Sequence, residues 1–388
     1  MTGTTAHDPV IVAARRSPVA PRGGAFARLE LAQLGAPVLQ AALADAGLPV
    51  EAVSEVILGN ALGAGGNPAR LVALAAGLPQ TVSAMTVDRQ CCSGLDAVIL
   101  AARAIRAGEA DVVIAGGVES FSRAPVRMHR PIQKDGLPIA YDRPAFAPPP
   151  FADPDPTEAA AMMAHEMRFT REAQEAYARA SHAAALRAQA AGDLAAETVP
   201  LAGLAADAFT RPLDARLQSR LPVLAGGNAH GLTASTIAVE ADAAAILVIM
   251  RREEAERRGL MPLAAVGQGV MTGGDPGNPA AGAHEAALQL FRRTCMGLED
   301  ISVVELMEAF AVQAMAGRRA IGLGLDDLRV NQGGGALARG HPVGASGAIL
   351  AVRLAHILAN APGKCAGLAA IAAAGGLGTA LFLLSTRA

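Results

Sequence analysis

The chain is poor in aromatic residues, has no tryptophan, and carries only four cysteines among 388 residues. Aromatics amount to 3% of the sequence, too few for stacking platforms that bind bases or sugars. Four cysteines without a framework spacing are expected as thiols in a reducing, cytoplasmic compartment. There is no basic excess either: the formal net charge is −2, which argues against nucleic acid or an anionic membrane as a partner. The opening MTGTTAHDPVIVAARR lacks a basic region followed by a long apolar core, so no signal peptide is expected. One uncharged run, 365–384, approaches the ~20 residues of a spanning helix. Its glycines fit a turn between two core strands better. No tandem repeat is found, and neither a G-x-x-x-x-G-K-[ST] nor a G-x-G-x-x-G phosphate loop occurs.

What is present is apolar and small. Hydrophobic residues make up 52% and charged residues 18%, with 42 glycines. A chain of this length predicts two domains or one large double-layered unit. Short apolar runs at 10–14, 54–59, 111–117, 244–250, 264–270, 301–306, 366–374 and 378–384 read as buried strands. Helical patterns lie between them at 31–46, 92–107, 171–191, 279–294, 308–322 and 345–360. The alternation predicts an α/β fold with mostly parallel strands. Residues 121–240 break the rhythm with the proline cluster RPAFAPPPFADPDP and one long helix, and read as an insertion covering the core. A strand, a glycine-containing turn and a helix occur once near Cys91 and once near His341, which hints at a duplicated unit.

Two stretches carry reactive side chains. In TVDRQCCSGLDAV (86–98), a strand ending near Asp88 and a helix starting near Ser93 would set Cys91 at a helix N-terminus. The positive end of the helix dipole there favours a thiolate. The competing reading is a pair of small buried residues, Cys91 and Cys92. In NQGGGALARGHPVGASGA (331–348), His341 sits in a glycine-rich loop that opens onto a helix, and suits the base of an activated cysteine. A structural histidine in a turn is the alternative. The loop 59–70 reads as a connection. Glu308, at an expected helix start in MEAFAVQA, either orients a catalytic group or favours the helix end. His129, His165, His182 and His230 show no metal-ligand spacing, so no metal is expected.

The ordered set of these motifs resembles the thiolase family. VDRQCCSGLDAV, GGVESFSRAP (116–125), EVILGNALGAGGNPARLVALAAGLP (55–79), EAFA (308–311), GGGALARGHPVGASGA (333–348), REAQEAYARASHAAA and GGLGTA (375–380) match in the family's order. The resemblance implies two βαβαβαββ halves in a five-layered α-β-α-β-α core with an inserted loop domain. The halves would be 1–254, with the insertion at about 119–240, and 255–388. It further implies Cys91 as the acylated nucleophile and His341 as its base, later helping to hold the thioester oxygen. Coenzyme A thioesters are then the substrates, no cofactor is needed, and the chain forms a homodimer or homotetramer.

Departures from the family pattern touch the chemistry. Ala372 stands where thiolases carry the second cysteine of C-x-G, which moves the α-carbon proton, and Ala374 stands for its glycine. Losing a positioned acid/base costs about 10²–10⁴-fold. Met307 replaces the asparagine or histidine that fixes a water in one oxyanion hole, and one lost oxyanion donor costs about 10²–10³-fold. The other hole, from the N–H groups of Cys91 and Ala374, is retained in principle. Ala238 falls where a serine often touches coenzyme A, Gly376 is a further substrate-binding candidate, and Asp88 replaces an asparagine. Three readings follow: a working acyl-CoA acyltransferase, with condensation impaired or altered; an enzyme using only the acyl-cysteine half-reaction, decarboxylative or acyl-transferring; or a non-catalytic acyl-CoA-binding subunit.

Overall fold

The computed structural model describes residues 8–63, 65–133 and 135–387. The start of the amino-terminal stretch read for a signal peptide, and Ala64 in the loop 59–70, lie outside the described residues. The first half runs β1 (Pro9–Arg16), α1 (Leu31–Asp45), β2 (Glu55–Gly59), α2 (Pro68–Ala75), β3 (Ser83–Val87), α3 (Ser93–Ala107) and β4 (Val112–Ser120). An insertion with α4 (Pro156–Glu166) and α5 (Arg171–Ala191) precedes the closing strand β5 (Ala241–Arg251). The second half runs β6 (Ala264–Gly273), α6 (Gly282–Thr294), β7 (Ile301–Leu306), α7 (Ala311–Ala320), α8 (Val343–Asn360), β8 (Ala366–Ala373) and β9 (Leu377–Leu384). The uncharged run 365–384 is therefore the β8–β9 hairpin.

The first half shows the βαβαβαββ order; the second departs from it at its third strand. That strand is reduced to a single bridge between Val304 and Val330. The physical reason is Asn331, which has φ +49° and turns the chain out of the sheet. Its side chain then substitutes for the missing ladder: Oδ1 accepts from Leu306 N at 2.8 Å and Nδ2 donates to Leu306 O at 2.9 Å.

The strands join in the order β7-β8-β9-β6-β1-β5-β4-β2-β3, with Ala20–Pro21 added alongside β5 to make ten. The expectation of mostly parallel strands is corrected. Among the described residues the strand pairs that run parallel are β2–β3, β2–β4 and β7–β8, while the last strand of each half, β5 or β9, runs antiparallel to both its neighbours. The halves meet edge to edge through two residue pairs of β1 and β6, Val10–Ala265 and Ile11–Ala264.

Alternate side chains along each strand face opposite layers, which builds three cores. Val112 and Ile114 pack outward with α1 and α2, whereas Val113 and Ala115 pack inward. The inward cluster contains Leu95, Val98 and Ile105 of α3 together with Ile349, Val352 and Leu354 of α8. Beyond the second half, Leu368, Ala370 and Phe382 pack against Ala286 and Leu290 of α6. This gives the order α1/α2, sheet, α3/α8, sheet, α6: five layers with two helices buried in the centre. By length and composition α8 could cross a membrane, but it is a core helix, mostly buried. The insertion packs mainly on α7, through Ala160, Met163, Phe169 and Tyr177 against Val312 and Met315.

Glycine sets the closeness of α3 and α8. A Cβ on Gly94 would lie 2.8 Å from Ala348 N, and one on Gly347 only 2.5 Å from Leu95 N. Alanine in a helix interior usually gains up to ~1 kcal/mol over glycine. Here the overlap with backbone reverses the sign. Gly347→Ala is expected to lower the urea-unfolding free energy by about 1–3 kcal/mol; an unchanged or raised midpoint would mean the two helices are not held at this distance.

Candidate active site

Cys91 is aimed by a clamped turn between β3 and α3. Asp88 Oδ1 accepts the N–H of Gln90 at 3.0 Å, a local Asx turn that asparagine would make equally well. Gln90 adopts φ +49°. Ser93 Oγ accepts from Arg89 N at 2.8 Å and donates to Gln90 O at 2.6 Å. A single 3₁₀ turn, Gln90–Cys92, then runs into α3, so Cys91 does stand at a helix N-terminus and is half-buried. Cys92 points the other way, fully buried, with its Sγ 3.6 Å from Ile371 O. Arg89 ties the turn to its own helix, donating to Asp96 Oδ2 at 2.6 Å, and to the opposite half, donating to Thr272 O at 3.0 Å. Thr379 Oγ1 donates to the other oxygen of Asp96 at 2.6 Å. Sequence reasoning missed this anchor, because its partners are remote in the chain.

His341 is presented by the start of α8. Its backbone N–H donates to Val239 O at 2.8 Å, so the last strand-like residues of the insertion hold it. Gly340, at φ +111°, lets the chain pass where a Cβ would meet Ala241. The ring then reaches across the halves: Nε2 lies 3.1 Å from Cys91 Sγ. Nδ1 lies 2.7 Å from Ser346 Oγ, which in turn donates to Pro342 O at 3.0 Å. A hydroxyl has one proton. Since that of Ser346 is given to Pro342, Nδ1 carries the hydrogen and donates to Ser346, leaving the Nε2 lone pair facing the thiol. Ser346 was not among the residues expected from sequence, although it lies in the same motif.

Burial decides the charge state of the pair. It pushes the Cys91 thiol up to about 12, with a further rise from the carboxylates of Glu119 and Asp88 and an opposing effect from its own backbone N–H. It pulls His341 down to about 4. The resting pair is thus a thiol and a neutral imidazole.

The remaining expected residues divide clearly. Glu308 is buried but does not start a helix: α7 begins at Ala311, because residues 309–311 extend to pair with 236–238. Its carboxylate instead gathers Tyr177 Oη at 3.3 Å, Ser181 Oγ at 2.7 Å and Asn331 Nδ2 at 2.7 Å, tying α5 to the loop before His341. Met307 is buried and shares the wall of a cavity of about 10 Å³ with Arg339, Gly340 and Ser346. Ala238 donates its N–H to Ala309 O at 2.9 Å. Ala372 packs in the outer cluster with Val270, Ala283 and Ala380, whereas Ile371 and Ala373 join the central one. Ala374 is half-buried at the β8–β9 turn. Gly376, at φ +75°, abuts Gly274 O and Asp275, a close approach that only glycine allows. Cys365 lies at the far end of β8, with its Sγ 3.4 Å from Pro362 O. Among the described residues no group of three or more His, Cys, Asp or Glu side chains is placed to hold a metal ion.

The chain matches the thiolase N-terminal domain over residues 9–253 and the thiolase C-terminal domain over 260–385. It is 37% identical over 386 residues to the VraB protein of Staphylococcus haemolyticus, covering 97% of this chain and 99% of that one. It is 37% identical over 400 residues to the acetyl-CoA acetyltransferase of Cupriavidus necator, covering 96% and 98%.

Two measurements probe the pair. Alkylation of Cys91 by iodoacetamide is expected to be slow at pH 6–7 and to climb through pH 9 and beyond, because a raised thiol pKa keeps thiolate scarce until the pH approaches about 12. Rapid, pH-independent alkylation from about pH 5 upward would instead signal a resting thiolate–imidazolium pair. Ser346→Ala should slow the reaction at pH 7 roughly five- to tenfold, the effect of losing one ~1 kcal/mol hydrogen bond that fixes the tautomer.

Proposed function

Given that the chain belongs to the thiolase family, we propose that it is an acyl-CoA acyltransferase that carries the acyl group as a thioester on Cys91. The observation that carries this reading is the 3.1 Å contact between Cys91 Sγ and His341 Nε2. In the first half-reaction the sulfur attacks the acyl-CoA carbonyl while Nε2 takes the thiol proton. The C–S bond to coenzyme A then breaks, and the imidazolium returns the proton to the departing thiolate. The imidazolium formed midway is supported through Nδ1–H by Ser346. Coenzyme A is a substrate here, and the acyl-cysteine step needs no cofactor. The names of the relatives, acetyl-CoA acetyltransferase among them, agree with this class.

The second half-reaction is where this chain differs. Thiolysis or Claisen condensation requires a proton to move at the substrate α-carbon. Ala372 has no group that exchanges protons, and the thioether of Met307 cannot donate. Condensation and thiolysis are therefore impaired relative to acylation. These two replacements favour a second reading: transfer of the acyl group to a nucleophile that is not a carbanion, or decarboxylative condensation, in which CO₂ loss generates the carbanion without a base. A chain that only binds acyl-CoA would form no covalent adduct.

The enzyme works in the cytoplasm as a homodimer or homotetramer. Support for assembly comes from its surface. Val126, Met128, Ile132, Leu137 and Ile139 are all exposed within one short insertion segment, and Leu71, Leu74 and Met85 are exposed beside the edge strand β3. Apolar surface so concentrated marks an interface.

Incubation with acetyl-CoA and longer acyl-CoAs is expected to add the acyl mass to Cys91, and Cys91→Ala should take none. Acetoacetyl-CoA cleavage should run at least about 10²-fold below the acylation rate, the lower bound for a missing acid/base. No adduct with any acyl-CoA sinks the acyl-enzyme reading. Cleavage as fast as acylation sinks only the claim of impairment.

A further inference from the structure

Glu119, at the end of β4, is fully buried, and no cationic side chain among the described residues pairs with it. Its carboxylate is held by donors from both halves. Asn60 Nδ2 donates at 2.8 Å, Ala61 N at 2.9 Å and Leu62 N at 3.3 Å, all from the loop after β2. The fourth donor is Gly344 N, at 2.9 Å, from the first turn of α8. That helix begins after Pro342, which offers no capping side chain. A first-turn N–H without an intrahelical partner needs an acceptor from elsewhere.

The approach is tight enough to need glycine on both sides. A Cβ on Gly344 would lie 2.6 Å from Asn60 Cα, and Cβ atoms on Gly59 and Gly117 would lie 2.5 and 2.2 Å from Gly344 O. Gly344 stands three residues after His341 and two before Ser346, so whatever fixes it fixes both.

We propose that Glu119 is a positioning residue, whose carboxylate caps α8 across the two halves, thereby setting the reach of His341 to Cys91 and keeping a negative charge beside the pair. The charge favours the imidazolium formed during proton transfer and disfavours a free thiolate at rest. Burial raises the Glu119 carboxyl to about 7, against the lowering effect of the backbone N–H groups of Ala61, Gly344 and Leu62. It is thus an anion over the alkaline range in which the thiol titrates. The other charged group felt at Cys91 is Asp88, and the ring in contact is that of His341.

For its acylation readout the inference rests on the acyl-cysteine reading; alkylation tests it independently. In Glu119→Gln the midpoint of the pH profile for Cys91 alkylation by iodoacetamide should fall by roughly half a unit to one unit, since a nearby like charge is gone. Acylation by acetyl-CoA at pH 7 should fall at least about tenfold, as expected when one or more supporting hydrogen bonds are lost. Loosening of the fold would also lower the thiol midpoint, by hydrating the sulfur, and Glu119→Asp separates the two causes. Glu119→Asp keeps the charge and shortens the reach, so its midpoint should stay and its acylation should slow. An unchanged midpoint in folded Glu119→Gln overturns the inference. If that variant fails to fold, Glu119→Asp with wild-type acylation overturns it instead. A wild-type protein that takes no acyl group, yet shows the midpoint shift, would remove the functional reading and leave the inference standing.

Discussion

A thiol and an imidazole 250 residues apart share one hydrogen bond, and most of the architecture serves that contact. Each group sits at the start of a helix, α3 or α8, and both helices lie in the central layer between the sheets. Their N-termini can meet only if their axes lie close. Gly94 and Gly347 permit that, at positions where any side chain would strike backbone of the facing helix. The sheets of the two halves join only through a short edge pairing of β1 and β6 among the described residues. The central helices, with the Arg89–Asp96–Thr379 anchor, therefore carry much of what fixes the halves in register.

Dryness gives the contact its character. A helix N-terminus alone would lower the thiol pKa, but here burial and two carboxylates oppose it. The result is a neutral pair, a thiol facing an unprotonated imidazole nitrogen. Charge separation in such a site costs least when the acceptor is already oriented, which is the work of Ser346 and of the Val239 carbonyl behind His341. Glu308 belongs to the same construction, one step further out. By joining Tyr177 and Ser181 of α5 to Asn331, it makes the insertion part of the wall that supports the histidine loop.

Much of this was legible in the sequence. Apolar runs and helical periods located the main strands and helices, and the strand–turn–helix near Cys91 was correct because all its determinants are local. What failed was set by distant partners. Strand direction cannot be read from alternation, which predicts parallel strands where the last strand of each half runs antiparallel. Glu308 was read into a helix because residues 309–311 look helical, yet 236–238 draw them into an extended pairing. Helix α4 escaped notice because its start, Asp155 capping Thr157 with Pro156 at the first position, is hidden in a proline-rich run. Ser346 and Glu119 were inside recognised motifs, but a hydrogen bond to a ring or to a foreign helix end leaves no pattern in one chain.

The replacements at 307 and 372 are informative because the fold absorbs them without strain. Met307 keeps its backbone bond to Ala370 O and fills apolar space behind Ser346, and Ala372 keeps its place opposite Gly378 in the hairpin. Neither side chain brings a donor of its own into the core, and the thioether sulfur is only a weak acceptor. The groups that act on Cys91, by contrast, remain linked in one connected set from Arg89 through His341 to Glu119. On the proposed reading, nucleophile and carbanion chemistry rest on separate supports in this fold, and the geometry of the first stays intact beside replacements in the second.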